Sequence, residues 1–322
     1  MQDPGPAGDG TLSAIGDTPL VELPSMRPDG GASIHVKWEG ANPTGSLKDR
    51  MALAMIENAR ADGELRPGEP VVEFTGGSTG SSLAFVCAVL DHPFHVVTAD
   101  CVADEKIASM RALGAELEVF ETPDGTSYDG LFEDLRELAL EVEAETGAYF
   151  TDQFANPDQL DGYRALGREI LDQRPDVDDF VMTVGTGGCA MGTAASLRDR
   201  TDDVRVTLVE PEEALVVSGG TAGSHSVQGT AIVGSPPLVE PELYDDVVTL
   251  PSEAGIDCVR EIARNDGLLV GTSTGMNVAA ARRVAAERDP DRSVVTVACD
   301  TGLKYLSEGL YEGLDGSTFC LC

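Results

Sequence analysis

Along most of its length the chain repeats one design: a short apolar stretch, a turn rich in Gly, Ser and Thr, then a helical stretch. "PVVEF" leads through "TGGSTG" into "SSLAFVCAVL", and "FHVVTA" leads into "DEKIASMRALGA". "DFVMTV" leads through "GTGGCAMG" into "TAASLRDR", and "VRVTLVE" follows. "GLLVG" leads through "TSTG" into "MNVAAARRVAAERD", and "SVVTVAC" leads into "DTGLKYLSEGLYEG". Apolar runs this short, alternating with helices, predict parallel sheets covered on both faces, so the expected fold class is α/β. A chain of 322 residues suffices for two domains, each with its own core. The polar stretch "TDQFANPDQLDG" reads as the boundary, giving expected domains 1–155 and 156–322, with the residues before about 40 free to pack on the second.

Composition bounds the class further. Apolar residues make up 42% and charged residues 24%, as in a soluble globular protein. The formal net charge is -34, with 56 acidic residues against 22 basic ones. Such a surface repels nucleic acid phosphates and anionic membranes, so neither is an expected partner. It also repels itself at low salt, and reads as halophilic, adapted to a salt-rich cytoplasm where screening is strong. The seven cysteines, at 87, 101, 189, 258, 299, 320 and 322, have no regular spacing and argue against a disulfide framework. Cys87 and Cys299 lie in apolar runs and read as core thiols. Cys320 and Cys322 read as part of a frayed tail, with metal or redox use as the rarer option. The four histidines lack zinc-site spacing, and no metal is expected. The stretch "MQDPGPAGDGTLS" has neither a basic n-region nor an apolar h-region, and no apolar run approaches membrane-spanning length, so the expected location is the cytoplasm.

Three of the turns carry chemistry. In open α/β sheets the ligand crevice lies at the carboxyl ends of the strands, and a helix starting there offers backbone N–H groups to an anion. "GTGGC", Gly185, Thr186, Gly187, Gly188 and Cys189, lets the backbone approach a phosphate closely. The same stretch, as Gly185-x-Gly187-x-x-Ala190 with Glu210 ending the next strand, also matches a dinucleotide fingerprint, which would make an NAD-dependent oxidoreductase. Taken alone, this loop leaves both readings open, beside a plain tight turn. "TGGSTG", with Thr75, Gly76, Ser78 and Thr79, offers a second anion site, suited to the carboxylate of an amino acid. "TSTG" places Ser273 at an expected strand end, within reach of a pyridine nitrogen. Ser and Thr are also ordinary helix caps, so each of these two is weak alone.

The fourth feature is a lysine. The chain has four, Lys37, Lys48, Lys106 and Lys304, against eighteen arginines. Lys48 sits in "NPTGSLKDR", where Ser46-x-x-Asp49 resembles a capping box and "MALAMIENA" continues as a helix. A cation in the first helical turn opposes the macrodipole, and the dipole together with partial burial favours the neutral amine that a Schiff base requires. A solvated lysine beside Asp49 is the bland alternative for this segment. An NAD enzyme accounts for one loop. Pyridoxal 5'-phosphate, which needs a phosphate cradle and an amine, accounts for all three loops and the lysine.

The order "IGDTPLVEL", "NPTGSLKDR", "TGGSTGSSLA", "GTGGCAMG", "SGGTAGSHSVQG", "GTSTGMNVAAA" and "DTGLKYLS" resembles the cysteine synthase group of pyridoxal-phosphate-dependent enzymes. That group includes cystathionine β-synthase and is related to the serine/threonine dehydratases; "SLKDR" is close to the synthases' "SVKDR" and less like the dehydratases' "SFKxR". The resemblance runs from Ile15 to Leu310. It implies fold type II, the tryptophan synthase β-like fold, with two doubly wound parallel-sheet domains and the cofactor in the cleft between them. It implies Lys48 as the Schiff-base lysine, Gly185 to Cys189 on the phosphate, Ser78 on the cofactor and Ser273 on the pyridine nitrogen. Thr75, Gly76, Ser78 and Thr79, with Gln153, match the substrate-carboxylate region, and His225, Gln228 and Gly229 match a loop flanking the active site.

The implied reaction is β-replacement on an L-serine derivative, O-acetylserine or O-phosphoserine, with sulfide or a thiol, through an α-aminoacrylate. The implied assembly is a homodimer. Alternatives are a cysteine desulfhydrase or dehydratase, an NAD oxidoreductase and a catalytically silent ligand-binding paralogue. Three stretches depart from the family pattern, in the substrate loop, the phosphate loop and the segment around Gln153. "TSGNTG" is here "TGGSTG", so Ser78 replaces an asparagine; Cys189 replaces the last phosphate-loop hydroxyl; and "QFxNPANPxxH" becomes "QFANPDQLDGY".

Overall fold

The computed structural model describes residues 10–311, apart from 127, 129, 202, 220–222, 232, 233 and 235, and describes the backbone alone at 124. The CxC pair, Cys320 and Cys322, lies outside the described residues. In chain order the elements begin with β1 (Leu20–Glu22), β2 (Ser33–Trp38), α1 (Lys48–Asp62), β3 (Val71–Phe74) and α2 (Ser78–Leu90). Next come β4 (Phe94–Ala99), α3 (Asp104–Ala112), β5 (Glu116–Phe120), α4 (Leu131–Thr146), β6 (Tyr149–Phe150) and α5 (Gln159–Gln173). Then follow β7 (Asp179–Thr183), α6 (Gly188–Arg198), β8 (Arg205–Pro211) and β9 (Asp246–Leu250). The last are α7 (Ser252–Asn265), α8 (Thr272–Ala285) and β10 (Ser293–Ala298).

The described chain forms two compact units, one of residues 10–15 with 48–159 and one of 16–47 with 160–311. In place of the expected single cut between 155 and 156, the described chain crosses between the units three times, at 15/16, 47/48 and 159/160. Residues 16–47 join the second unit because β2 pairs in parallel with β10 over its whole length, Ser33 opposite Ser293 through Trp38 opposite Ala298.

The first unit holds four parallel strands in the order β5-β4-β3-β6. The central strands "VVEF" and "FHVVTA" are apolar runs because helices cover both of their faces. On one face Phe74 packs edge-on to Phe132 of α4 at 4.9 Å and stacks on Phe154 at 5.6 Å. This aromatic cluster fixes the segment that carries Gln153. In α1 the buried stripe is Met51, Ala52, Met55, Ile56 and Ala59, the spacing of one helical face. α2 is mostly buried and stops where Asp91 turns left-handed at φ 60°.

The second unit holds six strands in the order β1-β2-β10-β7-β8-β9, parallel except for β1, which runs antiparallel to β2. Its core gathers β10, β2 and α8, with Ile34, Val36, Met276, Val278, Val294 and Ala298 inaccessible to solvent.

Two expected elements are corrected. "GLLVG" is not a strand; within it Val270 makes an isolated bridge to Thr301. "DTGLKYLSEGLYEG" does not continue as an α-helix: Gly302–Tyr305 form a single 3-10 turn, followed by further turns to residue 311. At Gly302 the chain packs so close to Val270 and Tyr311 that a Cβ would collide with both, which requires glycine in this turn. Among the described residues no helix is long and apolar enough to cross a membrane.

Candidate active site

Each sheet has one place where its strand order reverses, and a ligand crevice forms at such a switch point outside the carboxyl ends of the strands. In the first unit the chain runs outward through β3, β4 and β5, then returns to lay β6 on the other side of β3. The loops leaving β3 and β6 therefore face each other. The first is Thr75–Gly77, which opens α2; the second carries Thr151 and Gln153. Thr79 Oγ1 donates to Gln153 Oε1 at 2.6 Å, and Gln153 Nε2 donates to Phe74 O at 3.3 Å. Thr75 Oγ1 accepts from Gly77 N–H at 3.2 Å, which tightens the loop before the helix begins at Ser78. Thr75, Thr79 and Gln153 are buried, Ser78 is half-buried and Gly76 is exposed. The first unit thus brings together Thr75, Gly76, Ser78, Thr79 and Gln153.

Glu73, two residues before Thr75, was not among the residues singled out from sequence. It is fully buried, and its carboxyl group accepts from Phe74 N–H at 2.9 Å, Thr151 Oγ1 at 2.7 Å and Gln153 N–H at 2.9 Å. Burial pushes it up to about 8, against the pull of those hydrogen bonds. An acid inside the apolar run "PVVEF" was the available signal.

In the second unit the chain runs outward through β7, β8 and β9, then returns to lay β10 beside β7. The loop leaving β7 is Val184–Gly187, and α6 starts at Gly188. Gly187 has φ +90°, a left-handed conformation that suits glycine. A Cβ on Gly185 would lie 2.5 Å from Gly229 O, so two backbones meet there with no room for a side chain. Gly188 N–H donates to Thr186 Oγ1 at 3.2 Å, and the first turn of α6 holds no acidic residue. Ala231 N–H donates to Val184 O at 2.7 Å, and Gln228 N–H donates to Thr272 Oγ1 at 2.9 Å. His225 turns inward on its own loop, its Nδ1 accepting from Val227 N–H at 3.2 Å, and Gln228 Nε2 donates to Glu308 at 2.6 Å.

Ser273 is buried in the first turn of α8, not at a strand end as expected. That helix start is tied to the carboxyl end of β10, because Cys299 N–H donates to Thr274 Oγ1 at 2.9 Å. Asn277, another residue not read from sequence, joins the two central strands: Oδ1 accepts from Thr183 N–H at 2.7 Å and Nδ2 donates to Val297 O at 2.8 Å. The segment before Lys48 ends at the same edge, where Leu47 N–H donates to Cys299 O at 2.8 Å and Ser46 bridges to Asp300. Lys48 itself is half-buried and is the first residue of α1.

The donor chemistry of the second-unit loop suits a phosphate monoester. A buried hydroxyl at Thr186, helix-start N–H groups and a cradle that a side chain would fill are the elements of an anion site. Cys189, buried in the first turn, contributes a thiol, a weaker donor than a hydroxyl. The dinucleotide alternative fails at Glu210. This residue is fully buried and its carboxylate is turned to its own following loop, accepting from Val217 N–H at 2.7 Å and from Ser218, and so is not offered to a ribose. Among the described residues no cluster of His, Cys, Asp and Glu could hold a metal.

The family model described as pyridoxal-phosphate dependent enzyme matches residues 11–300. A cysteine synthase of Staphylococcus aureus is 35% identical over 307 residues, covering 94% of this chain and 97% of that one. Cysteine synthase B of Escherichia coli is 36% identical over 299 residues, covering 92% and 94%. Among solved structures, an O-ureido-L-serine synthase superposes with a TM-score of 0.88 at 34% identity, covering 96% of this chain and 97% of that one. A hydrogen sulfide-producing enzyme of Fusobacterium nucleatum superposes with a TM-score of 0.85 at 32% identity, covering 92% and 97%.

Proposed function

Because the chain belongs to the pyridoxal-phosphate-dependent enzymes, and within them to the cysteine synthase group, we propose that Lys48 anchors the cofactor and carries the protons of the reaction. The reaction is β-replacement that forms cysteine or a related amino acid. We assign the donor as an L-serine derivative, O-acetylserine or O-phosphoserine, and the nucleophile as sulfide or a thiol. The observation that carries this reading is the switch point of the second unit, where the Gly185–Cys189 loop, the start of α8 and the strand end that holds Leu47 share one edge of the sheet.

Pyridoxal phosphate, when bound, supplies an aldehyde that an amine captures and a ring that draws electrons from the substrate's Cα. Gly185, Thr186, Gly187, Gly188 and Cys189 would hold its phosphate, and Ser273 its ring nitrogen. Ser273 presents a neutral hydroxyl and no carboxylate, an environment suited to losing a good leaving group from Cβ. Thr75, Gly76, Ser78 and Thr79, with Gln153, bind and orient the substrate carboxylate through the N–H groups at the start of α2. Lys48 Nζ takes the proton from Cα and returns it after the nucleophile has added at Cβ.

The test supplies O-acetylserine, O-phosphoserine, serine and cysteine, each with and without sulfide or homocysteine, to the holoenzyme. A thiol adduct from at least one O-substituted serine is expected. Pyruvate and ammonia from every donor, with no adduct under any condition, overturns the replacement reading. The likeness to a hydrogen sulfide-producing enzyme favours sulfide release from cysteine as the second reading, and the cysteine arm detects it. The homodimer implied by the family is tested by light scattering of the eluted holoenzyme.

A further inference from the structure

Glu73 is a buried acid that the proposed chemistry does not use. It lies in β3, zero-exposed, and among the described residues it has no ion-pair partner. Its three hydrogen-bond donors come from two places: Phe74 N–H on its own strand, and Thr151 Oγ1 and Gln153 N–H on the loop after β6. A carboxyl group here therefore ties the two loops of the switch point together. The tie continues outward. Gln153, its backbone held by Glu73, accepts the Thr79 hydroxyl at 2.6 Å on its side-chain oxygen, and its backbone oxygen accepts from Gln159 Nε2 at 2.7 Å. Thr79 is the second residue of α2, the helix whose start forms the substrate-carboxylate site.

We propose that Glu73 is a positioning residue for the donor's carboxylate, acting through Gln153 on Thr79 and on the N–H groups at the start of α2. The proposal rests on the assignment of the Thr75–Thr79 loop to that carboxylate. The arrangement does not depend on one protonation state. Two of the three donors are backbone N–H groups, which a carboxyl oxygen accepts whether or not the acid is ionised. The third is a hydroxyl, which donates to a carboxylate and accepts from a carboxylic acid.

A charge-neutral isostere exposes the role. An amide nitrogen cannot accept a hydrogen bond. In Glu73→Gln, either orientation of the amide leaves the N–H of Phe74 or of Gln153 facing another donor, with the Gln153 segment free to shift. The experiment measures kcat and the KM for donor and for nucleophile on holoenzyme of wild type and E73Q, with the dissociation constant for pyridoxal phosphate and the Tm of each. The expected result is a donor KM raised tenfold or more, with kcat, the nucleophile KM and the cofactor affinity each within about threefold. A loss of stability alone would move none of these selectively. Thr151→Val covers the case of an E73Q chain that does not fold. It keeps the side-chain shape, removes one of Glu73's donors and lies outside the Thr75–Thr79 loop. Its expected donor KM is raised about threefold or more with kcat unchanged. Unchanged donor KM in the folded variants, or a kcat loss without a KM change, overturns the proposal. A wild type that turns over no donor overturns the functional reading itself, so the two failures are distinguishable.

Discussion

A close backbone approach at the phosphate loop of the second unit predicts a large effect of a single added methyl group. In Gly185→Ala the new Cβ would lie 2.5 Å from Gly229 O and 3.5 Å from Gly229 C. Carbon contacts are comfortable near ~3.5 Å, so one of the two backbones must retreat by roughly 1 Å. The Gly229 side is pinned on both flanks, by Gln228 N–H on Thr272 Oγ1 at 2.9 Å and by Ala231 N–H on Val184 O at 2.7 Å. The movement therefore falls on the Gly185–Gly188 loop, at an overpacking cost of ~1–3 kcal/mol. A phosphate held by that loop loses its alignment, and a displacement of this size costs up to ~100-fold. The expected result is a dissociation constant for pyridoxal phosphate raised ten- to a hundredfold, about 1.4–2.8 kcal/mol, with a lowered Tm. The assay titrates resolved apoenzyme with cofactor and follows the visible band. Gly30→Ala is the control: φ is +72° with no atom within 4 Å of the added Cβ, in the turn before the amino end of β2. It strains the backbone by ~1–2 kcal/mol and should lower Tm without changing cofactor affinity. Wild-type affinity in G185A, with a Tm within about 1 °C of the parent, would refute the steric reasoning.

Three further outcomes are expected. Lys48→Ala should abolish borohydride-fixable cofactor, and peptide mapping of the reduced wild type should tag Lys48 and not Lys37, which is fully buried and paired with Glu169 at 2.7 Å; a tag on Lys37, Lys106 or Lys304 rejects the assignment. Glu73, raised from 4.5 to about 8 by burial, keeps its proton in the folded state where the unfolded chain loses it. The stability this gives is complete below about 4.5 and is lost as pH rises to about 8, by at most roughly 5 kcal/mol at ~1.4 kcal/mol per unit. Urea unfolding from pH 5 to 8 should show this slope in wild type and not in E73Q, and parallel curves reject it. The net charge of -34 predicts a Tm that climbs with KCl, since the screening length falls from ~10 Å at 0.1 M to ~3 Å at 1 M, and a flat profile rejects halophilic adaptation.

The strands legible in the sequence are those buried on both faces, because parallel strands under helices read as unbroken apolar runs: "VVEF", "FHVVTA", "DFVMT" and "SVVTVA". β5, "ELEVF", lies at a sheet edge and keeps its glutamates in contact with water, so its alternation does not announce a core strand. β2, "SIHVKW", was obscured by its own polar residues. Lys37 is zero-exposed there because Glu169 neutralises it at 2.7 Å while Thr18 O and Gln173 Oε1 accept its remaining protons. No local pattern reveals a partner so distant in sequence.

The chemistry of the site was legible for a different reason than its geometry was not. Hydroxyls and glycines at helix starts identify an anion site from a few adjacent residues, and that is how Thr75, Thr79, Thr186 and Gly187 stand out. Which loop faces which depends on strand order, and strand order depends on where each crossover returns. Because β6 returns beside β3, Gln153 meets Thr79 across 74 residues of chain. Because β10 returns beside β7, the strand end that holds Leu47 lies next to the strand end that opens the Gly185 loop. Glu73 combines both cases. Its presence in an apolar run was visible, but its meaning rests on Thr151 and Gln153, 78 and 80 residues away, which only the reversal of strand order brings to it. An acid at that point in the sheet without those donors would be a buried polar group with no partners. With them it joins the two loops that this reading assigns to the donor's carboxylate.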